Sequence, residues 1–419
     1  MRFDEAFQYA EKRTQPDTPA PTKRIAPGDI RRLKSVGRRE SLDVIGNPSK
    51  TNWRKLFVVE NVFILGAGAS FESGAPLMGN FLDVAEELLM TNAVNDYREA
   101  FQEVFSIISD LQIIHSKSYL QLDNIETLFG AIEMARIIDR MGTRTGDGIF
   151  VARESLIKLI VKTLEKTIKL PASERSVSPS KSYLDFASLI SDLRSNPNKS
   201  SSTIISFNYD VALDFALHYT HQDADYCLSH SNNSSRLHYL KLHGSINWGR
   251  CKHCKDIIPY HFSDYFRKYS WNRLFGEVKN VLLTPSEHLH DLSHCNETVD
   301  NIPVIVPPTW NKTDYQGTLT NVWKQAAEDL STARNIFVIG YSLPESDAFF
   351  RYLFALGTAG ESRIKHFMVF DPNNTGEIKR RYETLIGRGI SNRFEYHELK
   401  FSDATRHIRK TLNVKENRY

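Results

Sequence analysis

The sequence predicts an α/β fold: a doubly wound, mostly parallel Rossmann-like sheet with an all-helical insertion and a small irregular module. Three observations lead there. Short apolar runs recur along the chain, each ends in a polar or glycine-containing turn, and stretches of helical spacing separate most of them. That is the pattern of parallel strands joined by helical crossovers. With 419 residues, 41% hydrophobic and 25% charged, the chain has the composition of an ordinary globular protein and ample material for a core.

The first run organises the rest. In Asn61 to Pro76, NVFILGAGASFESGAP, Val62 to Leu65 read as a buried strand and Gly66-Ala67-Gly68-Ala69-Ser70 as the tight turn after it. A turn poor in Cβ atoms lets backbone N–H groups approach a pyrophosphate, and a following helix turns its positive end toward that charge. The G-x-G-x-x-G spacing is not completed, because Phe71 stands at the third glycine and Asp83 lies inside the next helical pattern. The dehydrogenase fingerprint is therefore absent.

Helical spacing follows in Asn80 to Met90, Tyr97 to Leu111, Tyr119 to Arg140 and Arg153 to Ile168, closed by the polar loop Pro171 to Lys181. Strand signals return at Thr203 to Phe207, which ends in Asn208-Tyr209-Asp210, with a helix over Val211 to Tyr219. Leu237 to Leu242 ends in His243-Gly244-Ser245, and Tyr260 to Asn301 reads as an irregular module. Ile302 to Val306 is expected as a strand meeting Pro307-Pro308-Thr309, and Asn321 to Leu330 as a helix. Asn335 to Ile339 ends in Gly340-Tyr341-Ser342, Asp347 to Leu356 is helical, and His366 to Phe370 ends in Asp371-Pro372-Asn373.

Ligands of open parallel sheets bind at the carboxyl ends of the strands. Five strand ends would bring together Gly66 to Ser70, Asn208 with Asp210, His243, Gly340 to Ser342, and Asp371, a set suited to a dinucleotide. At this point the residues resemble the sirtuin-like family. GAGAS followed by SGAP, with Pro76, looks like its first glycine turn and the small-residue loop behind it. Phe207-Asn208-Tyr209-Asp210 is similar to its Asn-x-Asp cofactor motif. Leu242-His243-Gly244 is similar to the His-Gly that carries its catalytic histidine, and Gly340-Tyr341-Ser342-Leu343 resembles its ribose loop. The matches keep the family's order and cover most of Asn61 to Asp371.

The departures are informative too. Phe207 stands where deacylating sirtuins carry glutamine, and one C-x-x-C pair, Cys251 and Cys254, replaces two, with Cys295 roughly 40 residues on. The long helical insertion, with Asp123-Asn124-Ile125-Glu126 inside it, looks like the bacterial anti-phage defence branch. That resemblance implies NAD+ hydrolysis to nicotinamide and ADP-ribose as abortive infection, held in check by homo-oligomer packing or by a partner such as a HerA-type ATPase. Any nucleic acid would be met only through the partner. Asn208 and His243 are the expected catalytic residues. Gly66, Ala67, Gly68, Ala69, Ser70, Pro76, Asn208, Asp210, Gly340, Ser342 and Asp371 would hold NAD+, with Ser70 and the backbone of Ala67 to Ala69 on phosphates. A C-x-x-C loop offers two thiolates to a structural zinc, with Cys295 and one of His253, His290 or His294 to complete it. A protein deacylase and a non-catalytic sensor of NAD+ or ADP-ribose are the rival readings.

The expected organisation is a basic arm over residues 1–55, a domain over 56–400 with its insertion at about 80–200 and its module at about 250–300, and a tail over 401–419. The arm alternates basic pairs with prolines, as a poorly packed arm or an oligomer-docking segment would, with nucleic-acid contact as the weaker option. It lacks the apolar core of a signal peptide, no run approaches the roughly 18 apolar residues of a membrane span, and four cysteines at this length make no disulfide framework. A reducing cytoplasm is the expected compartment. The net charge of +3 is the small difference between 53 basic and 50 acidic residues and names no partner.

Overall fold

The structure is a computed structural model, and it describes residues 59–113, 117–172, 177–195, 201–229, 236–268, 280–306, 319–360 and 362–415. The basic arm and Pro307-Pro308-Thr309 lie outside those residues. Seven parallel strands make the central sheet: β1 (Val59–Leu65), β2 (Ser201–Ser206), β3 (Ala224–Asp225), β4 (Leu237–Lys241), β5 (Asn335–Ile339), β6 (His366–Phe370) and β7 (Phe394–His397). Their order is β7-β6-β5-β1-β2-β4-β3, with every pairing parallel. The doubly wound parallel sheet expected from the sequence is thus present.

The apolar runs are continuous because the central strands are covered on both faces. Side chains alternate between them. Phe63, Leu65, Ile204, Phe337, Ile339, Met368 and Phe370 belong to one core, and Val62, Ile64, Ile205, Ile336, Val338, Phe367 and Val369 to the other. The first face packs against α1 (Ala67–Phe71) and the helical insertion, comprising α2 (Phe81–Met90), α3 (Arg98–Gln112), α4 (Ile125–Ile138), α5 (Asp147–Thr167) and α6 (Lys181–Ser195). α7 (Ala212–Tyr219) follows β2, and α8 (Phe262–Lys268) lies in the irregular module. The second face packs against α9 (Thr320–Thr332), α10 (Ala348–Gly357) and α11 (Glu377–Leu385).

Several expectations are adjusted. The helix over Tyr119 to Arg140 starts only at Ile125, because Asn124 Oδ1 accepts from the N–H groups of Glu126 at 2.8 Å and Thr127 at 3.3 Å and so caps it. Ile302 to Val306 contributes only Val304–Ile305, which pairs antiparallel with Gly244–Ser245 and stays out of the central sheet. Its two residues are diverted by the His-Gly turn. Residues 401–419, expected as a tail, begin with α12 (Phe401–Thr411), whose Phe401, Ala404 and Ile408 are buried in the first core. Among the described residues no helix is long and apolar enough to cross a membrane.

The sheet reverses direction between β1 and β5. From β1 the chain builds outward through β2, β3 and β4, then returns to place β5 on the other side. Such a switch point opens a crevice at the carboxyl ends of the two strands.

Candidate active site

Backbone meets backbone at the switch point. Gly66 N–H donates to Ile339 O at 3.1 Å and Gly68 N–H to Gly340 O at 2.9 Å. Gly340 has φ +61°, and a Cβ there would lie 2.5 Å from both Ala69 N and Gly68 C. Only glycine combines that conformation with that approach. The helix behind the turn, α1, is five residues long, so the dipole expected to face a pyrophosphate is that of a single turn. Two of the amides assigned to phosphates are already engaged: Gly68 N–H as above, and Ala69 N–H on Gly66 O at 2.9 Å.

A cavity of about 580 Å³ lies over these strand ends. Ala67, Gly68, Ser70, Pro76, Asn208, Asp210, His243, Gly340, Ser342 and Asp371 line it, so the strand ends expected to converge do so. Gly66 and Ala69 are not on its wall; they form the backbone contact beneath.

Ser70 is the centre of a buried network. Its Oγ donates to Asp210 Oδ2 at 2.6 Å, accepts from Asn208 Nδ2 at 3.0 Å, and shares a 2.7 Å contact with the Tyr183 hydroxyl. A serine hydroxyl has one proton and two lone pairs; with the proton on Asp210, Tyr183 must donate. The sequence reading gave Ser70 to phosphates, whereas here its capacity is used within the protein. Asn208 Nδ2 also donates to Gly66 O at 2.9 Å, and Ala212 N–H caps on Asp210 Oδ1 at 2.9 Å. The side chains after β2 are thereby fastened to the turn after β1. Burial raises the Asp210 carboxyl, and the charge of Lys241 together with the Ser70 hydroxyl opposes that rise.

Lys241, fully buried on β4, completes the frame from below. Its ammonium donates to Asp210 O at 2.7 Å, Ser245 Oγ at 2.6 Å and Asp214 Oδ2 at 3.1 Å. A buried cation survives only with such partners, and these tie the Asn-Tyr-Asp loop to the His-Gly turn. In that turn Gly244 has φ +85°, and a Cβ would lie 2.0 Å from Val304 O.

His243 projects from this turn against aromatic rings. Phe207 meets it edge to face, with centroids 5.0 Å apart, and itself stacks on Tyr341 at 4.0 Å and 6°. His243 Nε2 lies 3.4 Å from Asp347 Oδ2, which accepts the Tyr341 hydroxyl at 2.7 Å. Farther along the wall, Asp371 Oδ1 accepts from Asn373 N–H at 2.9 Å, and burial raises its carboxyl against that bond. The walls carry Glu72, Glu126, Asp210, Asp347 and Asp371, opposed among the lining residues by Lys400.

Sequence reasoning missed Tyr183, Lys241, Glu126, Asp347 and Lys400. Asp347 read as an ordinary helix start, and Tyr183 lay in an uninterpreted stretch; neither sits in a turn at a strand end, which was the signal followed.

The cysteine loop is separate from the cavity. Ligand atoms of Cys251, Cys254, His294 and Cys295 all lie within 4.8 Å of one another. His294 Nδ1 is 3.3 Å from Cys254 Sγ and 3.4 Å from Cys295 Sγ. Three sulfurs and one imidazole nitrogen fit tetrahedral zinc, with His294 the member of the histidine trio that reaches the thiols. Burial opposes ionisation of Cys251, but bonds from the Cys254 backbone and the His294 side chain outweigh it and bring the thiol to about 6, which favours the thiolate a metal needs.

No family model and no curated protein matches the chain. Among solved structures, it is similar to a mutant Sir2 homologue in complex with ADP-ribose, at 15% identity over 86% of this chain and 97% of that one, with a TM-score of 0.39. It is similar also to a Sir2 homologue in complex with NAD, at 16% identity over 84% and 90%, TM-score 0.39. A third is a Sir2, p53 peptide and NAD+ complex, at 14% identity over 85% and 94%, TM-score 0.34. The candidate site rests on this chain's own residues.

Proposed function

We propose that the chain is an NAD+ glycohydrolase that cleaves NAD+ to nicotinamide and ADP-ribose, and that it acts in anti-phage defence under the control of self-assembly or a partner ATPase. The observation that carries the chemistry is the convergence of Asn208, Asp210, His243, Ser342 and Asp371 on one cavity at the switch point of a parallel sheet. The carboxylates on its walls suit the cationic ring and the ribose hydroxyls of such a substrate, and not its pyrophosphate. The defence role rests only on the resemblance of the insertion.

In this reading water attacks C1′ of the nicotinamide ribose, and the C1′–N bond breaks with its electron pair going to the ring nitrogen. Nicotinamide leaves neutral, and the proton of the attacking water passes to His243. Positive charge builds on the sugar meanwhile, so nearby carboxylates stabilise the transition state more than the ground state. Asn208, fastened by Gly66 and Ser70, orients the ribose. Phe207, stacked on Tyr341 beside the histidine, occupies the place of the deacylases' glutamine, which supports water over an acyl-lysine as the partner of the sugar.

Nicotinamide release by the purified chain tests this, alone, with a co-encoded ATPase and with an acetyl-lysine peptide. Release without peptide that is abolished in Asn208→Ala and His243→Ala is expected. Release that requires the peptide would establish the deacylase, and NAD+ binding without release under any condition would establish the sensor.

A further inference from the structure

The histidine that ends β4 shares its end of the cavity with groups brought from two distant parts of the chain. Asp347 is 1% exposed, with its Oδ2 3.4 Å from His243 Nε2 and held by the Tyr341 hydroxyl at 2.7 Å. Directly before it, Ser346 Oγ donates to Glu126 Oε2 at 2.6 Å. Glu126 stands in the first turn of α4, which Asn124 caps. Glu126, Asp347 and His243 all line the cavity. A continuous series of contacts thus runs from the helical insertion, through the turn ahead of α10, to the imidazole.

Resting on the hydrolase reading, we propose that Asp347 is the positioning residue of His243 and that the helical insertion sets it in place through the Glu126 to Ser346 bond. An imidazole that takes a proton becomes a cation. An anion beside it orients the ring and holds the charged form. In the hydrolysis step the water proton moves to His243 while Asp347 keeps its charge. The other titratable groups around the ring are Tyr341 from the same turn as Asp347, Glu126 from α4, and Tyr209 and Asp210 after β2; Lys241 on β4 directs its ammonium to Asp214. Of these groups Asp347 brings its Oδ2 to 3.4 Å from Nε2. Burial raises the Glu126 carboxyl, the Ser346 bond opposes this, and the Asp347 charge adds to it, as expected where two carboxylates share one end of a cavity. The insertion is then a part of the catalytic apparatus that the sheet by itself lacks.

The test uses the full chain with labelled histidine rings, His243 being assigned from the resonance lost in His243→Gln. Its titration is followed by NMR in the parent, Asp347→Asn, Glu126→Ala and Glu126→Gln, beside kcat and KM against pH. Removing an adjacent anion lowers an imidazole pKa, so Asp347→Asn is expected to move the His243 titration down by about one pH unit, and the acidic limb of kcat with it. kcat should fall roughly 10- to 100-fold while KM stays within about threefold. Glu126→Ala is expected to shift the titration in the same direction, and Glu126→Gln, whose amide oxygen still accepts from Ser346, to shift it less. An unmoved His243 titration in Asp347→Asn overturns the proposal. That reading needs no turnover, so it stands apart from the hydrolase question, which a parent chain binding NAD+ without releasing nicotinamide would decide alone. Should Asp347→Asn fail to fold, the Glu126 pair decides: identical titrations in Glu126→Ala and the parent overturn it.

Discussion

Replacing Ser70 by alanine should damage the scaffold before it damages any ligand contact. The side chain is buried and its oxygen serves three partners: Asp210 at 2.6 Å, Tyr183 at 2.7 Å and Asn208 at 3.0 Å. Without it the Tyr183 hydroxyl and one Asn208 proton lose their acceptor, and Asp210 Oδ2 loses its donor. Each second bond survives, Asn208 on Gly66 O and Asp210 on Ala212 N–H, so the loss is one bond per group. A buried polar group left without its partner costs about 1–3 kcal/mol. The cavity beside it admits water to part of the network, which points to a total of about 2–4 kcal/mol, a large fraction of the roughly 5–15 kcal/mol that holds a domain folded. Urea unfolding followed by circular dichroism would show this as a midpoint lowered by about 0.7–1.3 M at an unchanged slope of about 3 kcal/mol/M. The deficit should be smaller in acid than at neutral pH, because the missing bond stabilised the charged carboxylate. If Ser70→Ala unfolds within about 0.5 kcal/mol of the parent yet no longer binds NAD+, the hydroxyl serves the ligand, and the structural role given to it here is refuted.

Three further outcomes are expected. Gly340→Ala places a methyl 2.5 Å from the Gly68 and Ala69 backbone at φ +61°, so a loss of at least about 2 kcal/mol is expected, together with loss of NAD+ affinity; a melting temperature equal to the parent's would contradict it. Burial raises the Asp371 carboxyl, so the folded chain holds that proton more tightly than the unfolded one. The stability it confers is complete below the unfolded value and is lost as pH rises through the folded value. The parent should therefore lose ground to Asp371→Asn between pH 4 and pH 7, and urea midpoints that move the other way would reject this. Metal analysis should find one zinc per chain, and chelation should lower the melting temperature by several degrees while NAD+ affinity stays within about threefold, since none of the four ligands lines the cavity. His294→Ala should weaken zinc retention, and retention equal to the parent's would remove His294 from the ligand set.

The sequence by itself determined the parallel sheet and the residues at its strand ends. Central strands buried on both faces must be apolar throughout, so β1, β5 and β6 stand out as VFIL, NIFVI and HFMVF, and the turns that follow are marked by glycine, asparagine and aspartate for conformational reasons that act locally. The edges were harder to read. β3 has two residues and β7 is only partly buried, so neither carries a continuous apolar run. The amphipathic α12 lay beyond the last recognised turn, and its place in the core follows from α6, against which Phe401 packs on Phe186 and Tyr183.

What each of these residues contacts was decided by tertiary structure. Strand order put β5 beside β1, and that neighbour, absent from the local sequence, took up the amide of Gly68 that a glycine-rich turn would otherwise offer to a phosphate. Ser70 was turned inward by Tyr183 and Asp210, which stand 113 and 140 residues away. Asp347 reached His243, and Glu126 reached Ser346 across 220 residues. A hydrogen bond forms between groups close in space, and the sequence records closeness only along the chain; local conformation could therefore be read from residue types, while the pairing of polar groups waited on the packing that brings them together.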